Sequence, residues 1–347
     1  MKARSTAVFG ALALAGLIAA YFTWQRPKDT VKADSVVVLS ATKQSLDSLH
    51  FDDATRFVDV VKHTDGETRW WVTLGFLPGK TPVVDAGTSV VAMDGGVDGG
   101  VLQVSVKPAE PTPTRETLAN DRADTLVARF MPLEASRALG VLPQAKLDEL
   151  GLVGSTRRLE ITYAGQIKRF SVSKPLPGII GSYLMDDKGE VFLVQSTMFN
   201  ELDPASSVLV DRRMHTFKQS EFDHFTVSLD GKTEDFVQTN AEIAQTAKVA
   251  HASSPEKPDD LAKNWHDKIW NRTVVTEVLG KGELPKAGTP KVAVRIDYSL
   301  RGAKKGWLEI GFDSTQGTWA RSENTASWVG IHQGAEETVI EAKRLFP

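Results

Sequence analysis

The chain has 347 residues, 41% of them hydrophobic and 24% charged, with a net charge of −3. It is long enough for two ordinary domains and too balanced in composition for general disorder. The absence of cysteine excludes disulfides, thiolate metal sites and cysteine nucleophiles. Without Lys2, Arg4, Arg26 and Lys28, 37 basic residues face 44 acids, a net of −7 with no basic tract, which speaks against nucleic acid as a partner.

The first segment is "MKARSTAVFGALALAGLIAAYFTWQRPKD". No residue from Ser5 to Gln25 is charged, and the 18 residues from Ala7 to Trp24 would span about 27 Å as a helix, close to a bilayer's hydrocarbon thickness. Tyr21 and Trp24 stand where an interfacial aromatic belt would lie. Residues 1–28 therefore read as a membrane anchor in contact with lipid through residues 5–25. A signal peptide cleaved near Ala19 and Ala20 is the alternative. Either reading exports the body, and the expectation is a single-pass inner-membrane protein with a periplasmic C-terminal body. Residues 29–45 read as a polar stalk.

The body repeats weakly. "HTDGETRWWV" (63–72) resembles "SLDGKTEDFV" (228–237), each an Asp-Gly turn between apolar-rich runs, the pattern of a β-hairpin. A helix is predicted next in both halves. In the first, Thr112 is placed as N-cap and Pro113 at the first helical position, with Ala119, Ala123, Leu126, Val127 and Phe130 on one face and Pro132 as its end. In the second, Asp259 or Asp260 caps, and Leu261, Trp265 and Ile269 recur every four residues.

"SRALGVLP" (136–143) then matches "TEVLGKGELP" (276–285), and the strand region 157–173 matches 291–312. Leu159, Ile161 and Tyr163 alternate with polar residues, as do Val292, Val294, Ile296 and Tyr298, the period of a half-buried strand. "DDKGEVFLV" (186–194) is paired with "STQGTWARS" (314–322). Asp186-Asp187-Lys188-Gly189 thus falls opposite Ser314-Thr315-Gln316-Gly317, where the glycine persists and the charges do not. That predicts a hairpin turn, not a metal or proton site. The first half also carries a Gly- and Pro-rich insertion at about 77–112, including "DGGVDGG" (94–100), read as a surface loop.

No Gly-x-Ser-x-Gly elbow, Walker loop, Gly-x-Gly-x-x-Gly fingerprint or His-Glu-x-x-His pattern occurs. His50 with Asp52 and Asp53 is the closest metal-like cluster and reads as a solvated strand end. His215 and His224 can meet across a turn. Among the tryptophans, Trp307, Trp319 and Trp328 fall in the second sheet region and Trp265 and Trp270 in its helix. They read as core, with a glycan platform as the rival. Trp70 and Trp71 adjoin on one strand, so one faces the core and the other does not.

The ordered elements "LDELGL…LEITYAG…FSVSK…GSYLMDDKGEVFLVQSTMFNELDP…DRRMHTFKQSEFDHFTVSLDGK" (147–232) resemble the bacterial family named domain of unknown function 4340. The matching positions are Leu150-Gly151-Leu152, Leu159 to Tyr163, Tyr183 to Val194 and Val210 to Phe217. The resemblance covers most of residues 45–347. It implies an N-terminal membrane helix, repeated strand–helix–strand units and partnership with gliding-type ABC transporter components. It implies no catalytic residues.

The expectation is thus an α+β fold: an N-terminal transmembrane helix, then two tandem, mainly antiparallel sheet units, each with a covering helix. The first unit is 46–218 and the second 219–347. The expected function is a non-enzymatic, membrane-anchored extracytoplasmic scaffold or accessory subunit, beside an ABC-type membrane complex. The alternative is an anchored cell-wall or glycan-binding module. No catalytic, cofactor-binding or metal-binding residue is assigned, and no cofactor is expected.

Overall fold

The computed structural model describes residues 35–64, 67–77, 114–174, 181–243, 246–332 and 334–346. The structure is mostly β, 44% strand against 19% helix, in three antiparallel sheets. This corrects the α+β expectation: the hairpins outnumber the helices because most apolar runs alternate at the strand period. Among the described residues no helix is long and apolar enough to cross a membrane. The expected anchor at 1–28 lies outside them, so the expected placement as a single-pass inner-membrane protein with a periplasmic body has no support in the structure. The insertion core at 78–113, with Thr112, Pro113 and "DGGVDGG", and the turn Asp65-Gly66 also lie outside the described residues.

In chain order the first half contains β1 (Val36–Leu39), β2 (Leu46–Asp52), β3 (Arg56–His63), β4 (Arg69–Phe76), β5 (Arg115–Leu118), helix α1 (Asp121–Phe130), β6 (Leu133–Ala135), β7 (Arg137–Val141), α2 (Gln144–Glu149), β8 (Arg157–Tyr163), β9 (Gln166–Val172), β10 (Ser182–Asp186), β11 (Glu190–Val194) and α3 (Ala205–Val208). The second half contains β12 (His224–Leu229), β13 (Lys232–Thr239), β14 (Lys248–His251), α4 (Asp260–Arg272), β15 (Val275–Val278), β16 (Lys291–Leu300), β17 (Ala303–Phe312), β18 (Thr318–Ser322), β19 (Val329–Ile331) and α5 (Ala335–Ala342).

The two large sheets share one strand order. The second runs β14-β13-β12-β16-β17-β18-β19-β15, and the first runs β5-β4-β3-β2-β8-β9-β10-β11-β7. With β5 set aside, each reads third, second, first, fifth, sixth, seventh, eighth, fourth. In both, the fourth strand follows the helix, returns to pair with the last strand, and carries a register shift there, at Val191/Phe192 and at Val275/Glu277. A small third sheet pairs β1 with β6. Leu39 of β1 is buried in the first core, so part of the span read as a stalk belongs to the body.

Shared topology re-aligns two of the predicted turn pairs. Asp230-Gly231 joins β12 to β13, whose counterparts are β2 and β3, whereas the Asp65-Gly66 motif falls between β3 and β4. Asp186–Gly189 joins β10 to β11, while Asp313–Gly317 joins β17 to β18, one hairpin earlier in the order. Those two turns look alike for a local reason. Asp186 Oδ1 accepts from the amides of Lys188 and Glu190, both at 2.9 Å; Asp313 Oδ1 accepts from Thr315 at 2.8 Å and Gly317 at 2.9 Å. The residue with positive φ is Gly189 in one and Gln316 in the other. The shared feature is therefore the aspartate and not the glycine, an Asx-type turn.

The β8–β9 and β16–β17 pairing holds. Both connect through two residues with positive φ, Ala164-Gly165 and Arg301-Gly302, as does Asp230-Gly231 in β12–β13, the geometry that matches strand twist in tight hairpins.

Helix α1 starts later than its pattern suggested. Asn120 is the N-cap, its Oδ1 accepting from Arg122 N at 2.9 Å and its Nδ2 donating to Val208 O at 2.7 Å. Residues 115–118, read as helix, extend the sheet instead, because Thr117 and its neighbours find a ladder on β4. The predicted face is otherwise the buried one: Ala123, Leu126, Val127 and Phe130 pack into the first core with Leu49, Phe51, Val60 and Ile161. Full burial of the larger side chains among them contributes about 1.5–3 kcal/mol each. In α4, Asp259 caps Leu261 N and Ala262 N. Trp265 and Ile269 are buried in the second core, while Leu261 is exposed.

Candidate functional site

The two sheets meet at a polar joint built mainly from β5 and the β15 region. Arg115 on β5 pairs with Glu277 at 3.1 Å and Glu283 at 3.0 Å, and its Nη1 donates to Val278 O at 3.2 Å. Lys281 N donates to Glu116 O at 2.7 Å, and the Lys281 ammonium lies 5.0 Å from the Trp71 ring. Gly280 permits this approach, since a Cβ there would stand 3.2 Å from Arg115 Cα and Glu116 N. Val278 packs against both cores.

A second strip of contacts closes the joint. Arg69 Nη1 donates to Asn324 Oδ1 at 3.0 Å, and Asn324 Nδ2 donates to Arg213 O at 2.9 Å and Asp211 Oδ2 at 3.2 Å. Arg213 also grips Asp121 with two 3.0 Å bonds. Its hydrogen bonds to Asp211, then Asp121, raise its affinity for its proton further still.

Cavities lie beside these contacts. One of about 540 Å³ is lined by Lys62, Trp70, Asn120, Asp124, Arg213 and Asn324 among others, and Trp70 Nε1 donates to Asp124 at 3.2 Å on its wall. Another of about 380 Å³ is more apolar, lined by Leu74, Phe76 and Val278 together with Arg56, Arg115 and Arg212 among others.

The residues singled out in the sequence lie mostly elsewhere. His50 sits on the sheet face opposite α1, held between Asp59 and Asp52, the latter at 2.9 Å. The bond to Asp59 raises its pKa to about 9, with the Asp52 and Asp59 charges adding to it against burial. Asp53 is not part of this group; it accepts from the Thr55 and Arg56 amides and pairs with Arg56 at 2.8 Å. Among the described residues no group of three or more acids or histidines is arranged for a metal ion.

His215 and His224 have separate partners. His215 bonds to Glu323 at 3.0 Å and stacks on Trp270 at 4.8 Å, while His224 faces Asp223. Asp186 is turned onto its own hairpin's amides, as described above.

The tryptophans divide between core and surface. Trp265 and Trp328 are buried and Trp270 packs on the second core. On the opposite face of that sheet, Trp307 lies 5.1 Å from the Arg295 guanidinium and 5.9 Å from that of Arg321. Buried Glu309 bonds to both arginines at 2.6 Å. Trp319 Nε1 donates to Asp313, a bond that leads in lowering that carboxyl's pKa to about 2. Trp70 faces the first core and Trp71 the other side, where it stacks with His63.

His266 carried no sequence signal. It is fully buried, with neither ring nitrogen bonded to protein, among Phe222, Phe225, Trp270 and Tyr298. Burial lowers its pKa to about 4 and pushes the Tyr298 hydroxyl far up. The joint residues were equally silent in the sequence, since Arg115 and Glu283 stand 168 positions apart and no local spacing relates them.

Fold and joint together define a mostly β protein of two topologically alike sheets tied edge to edge. No family model matches the chain, and neither a curated protein nor a solved structure matches it. The likeness to the domain of unknown function 4340 family rests on the residues quoted above alone.

Proposed function

We propose that the protein is a non-enzymatic scaffold or accessory subunit. The observation that carries this reading is the joint. Its arginines, Arg69, Arg115 and Arg213, are each bound to side chains within the chain. Arg69 and Arg115 reach residues of the second half and tie the sheets together, while Arg213 braces Asp211 and Asp121 within the first. The face of each sheet away from its helix carries polar and aromatic ladders, His50–Asp59 in one and Arg295–Glu309–Arg321 in the other. Two such faces at a fixed angle suit a protein that presents surfaces to partners.

A gliding-type ABC transporter component is the partner that the family resemblance implies. Crosslinking in cells, followed by capture of the full chain, tests it. Stoichiometric recovery of such a component supports the reading; recovery of the protein alone counts against it.

One observation favours a second reading, glycan binding. Trp70 lines the larger cavity together with Asn120 and Asp124, and an indole beside amide and carboxylate groups can stack on a sugar ring while bonding its hydroxyls. Retention on purified peptidoglycan that is lost in Trp70→Ala would favour it over the scaffold.

A further inference from the structure

We infer that the smaller cavity at the joint is a binding site for a medium-chain aliphatic carboxylate. Its walls include half-buried side chains from both halves of the chain, Leu74 and Phe76 from β4 and Val278 from β15. Its volume of about 380 Å³ falls in the range of small-molecule sites, which combine apolar walls with a few placed polar groups.

Charge decides the headgroup. Arg56 is paired with Asp53, and Arg115 with Glu277 and Glu283. Arg212 has no carboxylate partner among the described residues; its one hydrogen bond, to Val275 O, is 3.5 Å long. It is an exposed arginine at the edge of an apolar hollow. A guanidinium in that position offers a planar pair of donors that matches a carboxylate. One negative charge completes the set. A dianion would leave its second charge unmatched beside Glu277, which lines the same cavity.

The volume of about 380 Å³ bounds the tail. An alkyl tail laid against Leu74, Phe76 and Val278 removes apolar surface of both ligand and protein from water, the main source of affinity for such a ligand. Because the walls come from both sheets, occupancy also fastens the joint and raises the unfolding temperature by linkage. This inference does not depend on the partner proposed above.

The test is calorimetric titration of the full chain with decanoate and with decanol, in the wild type and in Arg212→Gln, with Arg122→Gln as a surface control. The expected result is one saturable decanoate site per chain and decanol at least tenfold weaker. Arg212→Gln should lose at least tenfold for decanoate with decanol unchanged, and Arg122→Gln should match the wild type. Absence of decanoate binding, equal affinity for decanoate and decanol, non-saturable uptake, or an unchanged decanoate affinity in Arg212→Gln would each overturn the assignment.

Discussion

Arg115 of the first sheet and Glu283 of the second half meet at 3.0 Å although 168 residues separate them in the chain. The same guanidinium holds Glu277 and the carbonyl of Val278, so it binds three points of the opposing half. Arg115→Ala is expected to destabilise the protein by about 1–2 kcal/mol and Glu277→Gln by less. Urea denaturation of both single variants and the double variant gives the coupling. If the two effects simply add, the pair does not hold the joint.

Gly280 sets how closely the halves approach. A Cβ at this position meets backbone atoms of Arg115 and Glu116 at 3.2 Å, and backbone does not swing aside as a side-chain tip would. Gly280→Val should cost about 1–3 kcal/mol and expose the Lys281 amide, which donates to Glu116 O. Hydrogen exchange at Lys281 reads the opening directly; unchanged protection there would mean the contact is loose.

His50 makes stability fall with rising pH. Its pKa is about 9 in the folded chain and about 6.5 when unfolded. The folded form therefore holds the extra proton between these values, and the contribution is complete below pH 6.5 and lost as pH climbs through 9. With the ring 35% exposed, solvent screening reduces the effect to about 1 kcal/mol. Denaturation at pH 6 and pH 9.5 should show this loss in the wild type and not in His50→Gln. Parallel curves would remove the carboxylate clamp from the account.

His266 acts in the opposite direction. Buried and neutral, it resists protonation until pH falls to about 4, whereas the unfolded chain takes up that proton near 6.5. Between those values the unfolded state binds more protons, so stability drops with acid, by about 3 kcal/mol in all. His266→Phe keeps a ring of similar outline, removes two unbonded nitrogens and should flatten the acid limb of the pH–stability curve. An acid limb as steep as the wild type's would assign the effect to other groups.

The sequence disclosed the elements better than their arrangement. The alternation at Leu159–Ile161 and Val294–Ile296–Tyr298, the α1 face from Ala123 to Phe130 and the cap expected at Asp259 or Asp260 are local and are found where the pattern placed them, whereas Val292 is exposed and Ala119 precedes the helix. The Asp186 and Asp313 turns misled because an Asx turn has the same residue signature wherever it occurs in a sheet. Residues 115–118 follow a helix start signal in the sequence, but the ladder on β4 outweighs that local propensity and makes them a strand. The joint was out of reach altogether. Nothing near Arg115 marks it as the partner of Glu277 and Glu283, and nothing near His266 marks it as unbonded.

The common strand order carries a kinetic consequence. In the first sheet β2 must find β8, and the nearest pair, Asp52–Arg158, spans 106 positions; in the second, the nearest pair, Leu229–Val294, spans 65. Closing the longer loop costs about 0.4 kcal/mol more in chain entropy, and distant pairings slow folding. Pulse-labelling during refolding should find Val227 and Ile296 protected before Leu49 and Ile161. The half that leaves the ribosome first would then be the half that zips up last, waiting on a strand translated more than a hundred codons later.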